Sequence, residues 1–247
     1  NITLDGIAST DTDQFTSVTL NATSSGSSVI FENSDSTFQA VTVNAGNGIT
    51  LSSNLTTNGT TSFDSDSDAN GSGIFTISAG QTFNTSSNSL SVSSSNMALG
   101  SGSAINSGTA TLLISQSAQA IGLGSGAGSF SLDNTELSQI TSSDLIIGNS
   151  SNGTITVDNV TSFSGPLILN ATAAGSSVNF SGTASSGLGN ITINAGTGGV
   201  GFGVDLTTTG SLTATSEGAI AGTGILNVAG TASLNTSESA KATVVSN

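Results

Sequence analysis

Short apolar-polar-apolar triplets recur along this chain, and turn-forming residues follow each of them. Such triplets begin at Val18, Val41, Ile49, Phe75, Leu90, Phe130, Ile155 and Ile191. In an extended backbone the first and third side chains of a triplet share one face and the middle one points the other way. Gly, Asn, Ser and Asp fill the gaps and supply turn geometry. The pattern predicts many short strands, each with one buried face.

The spacing of these strands predicts their arrangement. Neighbouring triplets recur about every 10 residues and equivalent ones about every 20, as in proteins built from stacked coils. Sandwiches and propellers need antiparallel hairpins and are rich in aromatic residues, whereas this chain has ten Phe and no Tyr or Trp. We therefore predict an all-β, right-handed parallel β-helix, a β-solenoid of roughly a dozen coils of about 20 residues. The predicted inward-facing residues are Val43, Ile49, Phe75, Leu113, Ile155, Ile193 and Leu226.

A long internal repeat accompanies the triplets. Residues 41–46 (Val-Thr-Val-Asn-Ala-Gly) return as residues 191–196 (Ile-Thr-Ile-Asn-Ala-Gly), about 150 positions later. The same offset aligns Phe75 with Leu226 and predicts that they occupy equivalent core sites. We predict a first repeat unit over residues 1–153 and a partial second unit over 154–247, continuous with the first in one rod.

Charge and composition exclude several classes of partner. The chain has one basic residue, Lys241, against fifteen Asp and Glu, for a net charge of −14. Nucleic acids and anionic membranes are bound through Lys and Arg, so neither is an expected partner. Cysteine is absent, and no apolar run reaches the length of a membrane span, so we expect no membrane insertion in this span.

The available side chains also restrict the chemistry. Without His or Cys, a Ser-His pair and a zinc site with His or Cys ligands are both impossible. We expect no catalytic residues, no cofactor and no enzymatic activity. Carboxylate pairs can cleave glycosides, so a polysaccharide-degrading β-helix enzyme is the least favoured alternative.

One acidic cluster is a candidate for binding Ca²⁺. Asp64, Asp66 and Asp68 alternate with Ser and could present several oxygens to the ion. The loop departs from an EF-hand, however, because Ala69 stands at its sixth position and Phe75 at its twelfth. We interpret it as a solvated insertion that binds no metal, with Ca²⁺ as the alternative. Asp66→Ser is then expected to change little unless Ca²⁺ binds.

Asparagines at recurring positions allow two interpretations. Asn21, Asn44, Asn170 and Asn194 each follow an alternating segment. Asn at one position of successive coils can stack as a hydrogen-bonded ladder. Glycan attachment is the alternative, since thirteen Asn-x-Ser/Thr sequons occur in the chain. We favour the ladder.

Several segments from residue 120 onward carry a family resemblance. They are Ala120-Ile121-Gly122-Leu123-Gly124, Glu136-Leu137-Ser138-Gln139-Ile140-Thr141, Leu145-Ile146-Ile147-Gly148, Gly153-Thr154-Ile155-Thr156-Val157, Asn190-Ile191-Thr192-Ile193-Asn194-Ala195-Gly196, and Leu212 with Gly218-Ala219-Ile220. These segments resemble the repeats of filamentous-haemagglutinin-like exoproteins of bacteria. The resemblance covers most of the chain. It implies a right-handed parallel β-helix, export across the outer membrane, an extracellular or cell-surface location, and adhesive or fibre-forming use. An Arg-Gly-Asp attachment motif is excluded because the chain has no Arg.

These observations predict a structural or adhesive segment of a large secreted or surface-displayed repeat protein. Expected partners are further copies of the repeat, in the same chain or end to end in a fibre, and a host or neighbouring cell surface. Residues 243–246 (Thr-Val-Val-Ser) resemble a strand rather than a cap, so we expect further coils or end-to-end docking beyond them. The alternative is a flat Thr- and Ser-rich face that binds ice or carbohydrate, indicated by residues 56–57 and 207–209.

Overall fold

The protein is a parallel β-solenoid. A computed structural model describes residues 1–161 and 163–237, together with the backbone of residues 243–245. Strands make up 51% of the chain and helices 4%, and the parallel sheets stack into about 10 turns, which confirms the predicted fold class. Two compact units are present: unit 1 comprises residues 1–116 and 139–143, and unit 2 comprises residues 117–138 and 144–247. The repeat boundary predicted at residue 153 lies within unit 2 and stays a prediction, as does the continuous rod.

Unit 1 consists of short strands and one helical turn. Its elements are β1 (Ile2–Leu4), α1 (Ser9–Thr12), β2 (Val18–Ala22), β3 (Val29–Phe31), β4 (Ser36–Phe38), β5 (Val41–Ala45), β6 (Ile49–Leu51), β7 (Leu55–Thr57), β8 (Thr61–Asp64), β9 (Ile74–Ile77), β10 (Thr82–Asn84), β11 (Leu90–Ser94), β12 (Asn96–Leu99) and β13 (Ala104–Ile114).

Each coil of unit 1 contributes one strand to each of three sheets. The first sheet contains β2, β5, β8, β11 and the end of β13; the second contains β1, β3, β6, β9 and β12; the third contains β4, β7, β10 and the start of β13. All of these pairings are parallel. Parallel strands need a long connection, which the rest of each coil supplies.

Unit 2 repeats this plan. Its elements are β14 (Ile121–Gly124), β15 (Phe130–Leu132), α2 (Asn134–Ser138), β16 (Ile140–Asn149, which begins in unit 1), β17 (Ile155–Asp158), β18 (Leu167–Ala171), β19 (Ser177–Phe180), β20 (Ser185–Leu188), β21 (Ile191–Ala195), β22 (Gly199–Phe202), β23 (Leu206–Thr208), β24 (Leu212–Ser216), β25 (Ile220–Val228), β26 (Ala232–Thr236) and β27 (Thr243–Val245). The first sheet contains β16, β18, β21, β24 and β26; the second contains β14, β15, β17, β19, β22 and the start of β25; the third contains β20, β23 and the end of β25.

Coil length explains why the spacing in the sequence looks uneven. In the first sheet of unit 1, Val18, Val41, Thr61, Leu90 and Ala110 lie side by side. Their separations are 23, 20, 29 and 20 residues. The long coil contains an extra loop between β8 and β9. The predicted period of about 20 residues is therefore the minimum coil, and insertions at corners lengthen individual coils without breaking strand register.

Six of the seven residues predicted to face inward are buried, and Leu113 is the exception. Val43, Ile49, Phe75, Ile155 and Ile193 are 0% exposed and Leu226 is 8% exposed. In β13, Leu112 pairs with the buried Val92 and points inward, so its neighbour Leu113 points outward. The run Leu112-Leu113-Ile114 is apolar throughout, so the sequence does not indicate which of these side chains face inward.

The predicted equivalence of Phe75 and Leu226 is wrong. Phe75 lies in the second sheet opposite Ile49, whereas Leu226 lies in the third sheet opposite Leu206. Leu226 instead matches Phe83, which pairs with Leu55 in the third sheet of unit 1. The loop between β8 and β9 has no counterpart of its length in unit 2, so a constant offset misaligns everything after it.

Two glycines show why small residues recur at the corners. Gly48 immediately precedes β6 and Gly199 is the first residue of β22, both strands of the second sheet, and their φ angles are +108° and +87°. A Cβ on Gly199 would lie 2.3 Å from the carbonyl oxygen of Ala219, and one on Gly48 would lie 2.9 Å from that of Ile74. Any other residue would push the next coil away.

The free edge of β4 is partly covered. The amide of Thr37 donates to the carbonyl of Ile7 at 2.7 Å, and the amide of Ile7 donates to Oγ of Ser36 at 3.2 Å. Helix α1 also contacts β4. The segment from Ile7 to Thr12 therefore shields part of an edge that would otherwise be open to pairing with another strand. At the other end of the chain, residues 243–245 form the strand β27 as predicted, and Ser246 lies outside the described residues.

Candidate functional site

The outward face of the first sheet in unit 1 carries a row of hydroxyl groups. The row consists of Thr19, Thr42, Ser62, Ser91 and Thr111, which are paired in register from strand to strand. Adjacent strands of a sheet lie about 4.8 Å apart, so the hydroxyls form a regular line along the surface. The corresponding row of unit 2 begins with Ile146 and Ile168 before Thr192, so it is less uniform.

The threonines that indicated a Thr-rich face in the sequence lie outside this row: residues 56–57 and 207–208 belong to the third sheet, Thr209 follows it, and two of the five are buried. Thr57 and Thr208 point into the core, and Oγ1 of Thr57 lies 2.7 Å from Oγ1 of Thr61. Thr56 and Thr207 point outward. Ice or carbohydrate binding by a face that includes residues 56–57 and 207–209 stays a prediction. The hydroxyl row was missed because corner insertions hide its register.

The asparagine ladder is present in both units. Nδ2 of Asn44 donates to Oδ1 of Asn21 at 2.8 Å in unit 1. Nδ2 of Asn194 donates to Oδ1 of Asn170, also at 2.8 Å, in unit 2. Each bond joins strands of successive coils. In unit 1 the asparagines lie two residues after the threonines of the hydroxyl row, and in unit 2 they lie two residues after Ile168 and Thr192. The predicted ladder role is confirmed; glycan attachment at the sequons stays untested.

Asp66 is a buried structural residue, so the interpretation of this acidic loop as solvated is wrong for Asp66, whereas residues 68–72 are exposed as that interpretation expects. Its side chain is 1% exposed. Oδ2 accepts hydrogen bonds from the amide of Gly71 at 3.0 Å and from Oγ of Ser115 at 2.5 Å. Oδ1 accepts one from the amide of Gly73 at 3.2 Å. The carboxylate thus fixes the inserted loop to the body of unit 1. The sequence around Asp66 does not indicate this role, because Ser115 lies 49 residues away along the chain.

The other two acidic residues of the loop do not join Asp66 in a metal site. Asp68 is exposed and accepts a hydrogen bond from Nδ2 of Asn70 at 2.7 Å. Asp64 accepts a bond from the amide of Asp66 at 3.3 Å. Burial raises the pKa of Asp64 above its ordinary value, and the charges of Asp66 and Asp68 raise it further, although the Asp66 amide opposes this. Across the described residues, no group of three His, Cys, Asp or Glu side chains is placed to hold a metal ion.

Several other carboxylates connect successive coils. Oδ1 of Asp158 accepts from the amide of Thr183 at 2.6 Å, and Oδ1 of Asp205 accepts from that of Ile225 at 2.8 Å. Asp35 accepts from both the amide and the side chain of Asn54. These acids satisfy backbone donors at coil corners, a role that the scattered acidic residues of the sequence did not indicate.

A capping box that sequence reasoning missed begins α2. The amide of Glu136 donates to Oδ1 of Asp133 at 2.8 Å, and the amide of Asp133 donates to Oε2 of Glu136 at 3.0 Å. An acidic residue three positions after a capping Asp is the sequence signal for this arrangement. Glu136 therefore has a structural role at a helix end.

No protein-family model, curated protein or solved structure matches this chain. Among the described residues, no helix has the length and apolar character needed to cross a bilayer. The surface features that remain as functional candidates are the hydroxyl row and a groove beside Phe15. Function is therefore inferred from their geometry and from the stacking of the coils.

Proposed function

We propose that this chain is a structural segment of a large secreted or surface-displayed bacterial protein, where it forms a stiff spacer for an adhesive surface or fibre. The observation that supports this is the parallel pairing of each strand with the strand of the next coil, repeated through three sheets in each unit. Backbone hydrogen bonds then run along the stacking direction, so a force that separates coils must break several at once.

Side chains reinforce the same connections. The asparagine pairs link neighbouring coils on the outside, and inside unit 2 Phe180 stacks on Phe202 of the next coil with ring centroids 5.2 Å apart. Aromatic pairs of this kind contribute about 0.5–1.5 kcal/mol beyond the area they bury. A segment stabilised in this way needs no cofactor.

A catalytic role is not proposed. The chain has no His, Cys, Tyr or Arg to assist a carboxylate. Asp158 and Asp205 each accept a hydrogen bond from a backbone amide of the next coil, and Asp66 accepts from the amides of Gly71 and Gly73 in its own loop. Carboxylates committed to structural hydrogen bonds are poor candidates for the acid and base of glycoside hydrolysis.

The location and the adhesive role are tested together. Antibodies against the 247-residue chain are used for immunogold labelling of the native bacterium and for blocking its attachment to host or neighbouring cells. We expect surface label and reduced attachment, with pre-immune serum as the control. Label confined to the cell interior would contradict the proposal.

The hydroxyl row supports a second candidate, direct binding of an ordered surface such as ice or an insoluble polysaccharide. Regularly spaced hydroxyls can donate and accept hydrogen bonds along such a surface. Thr42→Val removes one hydroxyl from the middle of the row and keeps the shape of the side chain. Thermal hysteresis or polysaccharide pull-down that falls with this variant, but not with Thr50→Val on the second sheet, would favour surface binding over a passive spacer.

A further inference from the structure

Phe15 is exposed in a chain that otherwise buries its phenylalanines. Its side chain is 58% exposed, whereas the other nine Phe are at most 4% exposed. The comparable residue in unit 2 is Phe163, which lies just before β18 as Phe15 lies just before β2, and it is 4% exposed. The fold is therefore able to bury a phenylalanine at this corner, and unit 1 does not do so.

Phe15 forms one wall of a groove of about 540 Å³ in unit 1. Three successive corners between the third and first sheets form the groove, because the chain passes there before β2, β5 and β8. The lining side chains with polar atoms are Asp13, Thr16, Gln39, Asn58 and Thr60. An aromatic ring thus stands beside neutral amides, hydroxyls and a single carboxylate.

Polar groups in this groove are available for a ligand. Within the described part of the chain, the side chains of Gln39 and Thr60 make no hydrogen bond. Oδ1 of Asn58 accepts a bond from Oγ of Ser86 at 3.2 Å, which fixes the amide and leaves Nδ2 as a donor. Oδ1 of Asp13 accepts from Nε2 of Gln14 at 3.0 Å, and a carboxylate has capacity for further donors.

We propose that the Phe15 groove binds a neutral sugar of a surface glycan. The apolar face of a pyranose ring packs on an exposed aromatic ring, and sugar hydroxyls pair with amides, hydroxyls and a carboxylate. Acidic glycans are excluded by charge, because the groove has Asp13 and no basic residue and the chain as a whole has a net charge of −14. The biological meaning of this site rests on the adhesive role proposed above.

Binding is tested on the isolated 247-residue chain. This assay measures only glycan binding, so the absence of binding would not contradict the proposed mechanical role. The probe is an array of neutral oligosaccharides of glucose, galactose, mannose and N-acetylglucosamine, with sulfated and sialylated analogues alongside. The best ligand is then titrated by calorimetry against the wild type, Phe15→Ala, Asn58→Ala and the control Ile74→Ala. Ile74 is the other exposed large apolar side chain among the described residues, at 41% exposure.

We expect neutral glycans to bind, Phe15→Ala and Asn58→Ala to weaken binding at least about tenfold, and Ile74→Ala to leave it unchanged. Thermal melting of each variant checks that it is folded. We expect both variants to fold, because the side chains of Phe15 and Asn58 are exposed. The proposal is overturned if no neutral glycan binds, if acidic glycans bind better, or if Phe15→Ala binds as the wild type does. Concentration-dependent self-association that Phe15→Ala abolishes would also overturn it, because the groove would then hold a second copy of the chain.

Discussion

The hydroxyl of Ser115 donates a 2.5 Å hydrogen bond to Oδ2 of Asp66, although 49 residues separate them along the chain. This bond and the two amide bonds from Gly71 and Gly73 hold the inserted loop of unit 1 in place. A buried carboxylate with three donors stabilises the fold only while all of its partners are present.

Asp66→Ser is therefore expected to lower the free energy of unfolding by about 2–4 kcal/mol, since it leaves buried amides without an acceptor. Asp68→Ser, in the same loop but exposed, is the matched control and is expected to change it by less than about 0.5 kcal/mol. Urea unfolding followed by circular dichroism measures both. Equal stability of the two variants would show that Asp66 does not hold the loop.

Asp64 makes stability depend on pH. Its folded pKa is raised, so between the ordinary value of 3.8 and the higher folded value the folded chain binds more protons than the unfolded chain. The contribution of Asp64 to stability therefore falls as pH rises through that window and is unfavourable at neutral pH. Asp64→Asn is expected to stabilise the chain at pH 7, and the gain should shrink as pH falls towards 3.8.

The same substitution also extends the asparagine ladder, because Asp64 pairs in register with Asn44. A gain from the ladder alone would be independent of pH, so melting temperatures across pH 3–7 separate the two effects. A stabilisation that stays constant over this range would contradict the electrostatic account of Asp64.

Phe75→Asp tests the core of unit 1. The side chain is 0% exposed and packs against Phe63 with ring centroids 5.7 Å apart. Loss of this burial together with an unpaired buried charge is expected to cost several kcal/mol, about 4 or more. Ile74→Asp, one residue earlier but facing outward, is expected to be tolerated. Thermal melting compares them, and similar losses for both would show that the strand register is wrong.

Gly199→Ala tests the tight corner in unit 2. Both Gly199 and Gly175 have positive φ, +87° and +82°, but a Cβ on Gly175 meets nothing within 4 Å. Gly175→Ala should therefore cost only the conformational term of about 1–2 kcal/mol, and Gly199→Ala should cost clearly more because of the clash with Ala219. Chemical denaturation of the two variants gives the difference; a smaller loss for Gly199→Ala would mean that the coils are not this close.

The sequence predicted the strands well because alternation is a local property. Val41-Thr42-Val43 and Ile191-Thr192-Ile193 have one buried face that apolar residues alone can identify. Register after an insertion was not predictable in the same way. The loop around Asp66 shifts every later position, so Phe75 was aligned with Leu226 although they lie in different sheets.

The candidate sites were harder to predict for a related reason. Asn21 and Asn44 were recognised because their residue type repeats at the same place in the coil. The hydroxyl row mixes Thr and Ser at uneven separations, and Asp66 depends on Ser115 in a different coil. The exposure of Phe15 depends on corner geometry, and its residue type matches that of the buried Phe163. Each of these is a relationship between coils that no single segment encodes.

Single-molecule force spectroscopy tests the central claim, that the chain resists force through stacked parallel coils. The 247-residue chain is held by its two ends and extended. We expect stepwise unfolding in which each step releases about one coil of 20 residues, an extension of about 70 Å. A single release of the whole chain, or extension without measurable resistance, would contradict the mechanical account.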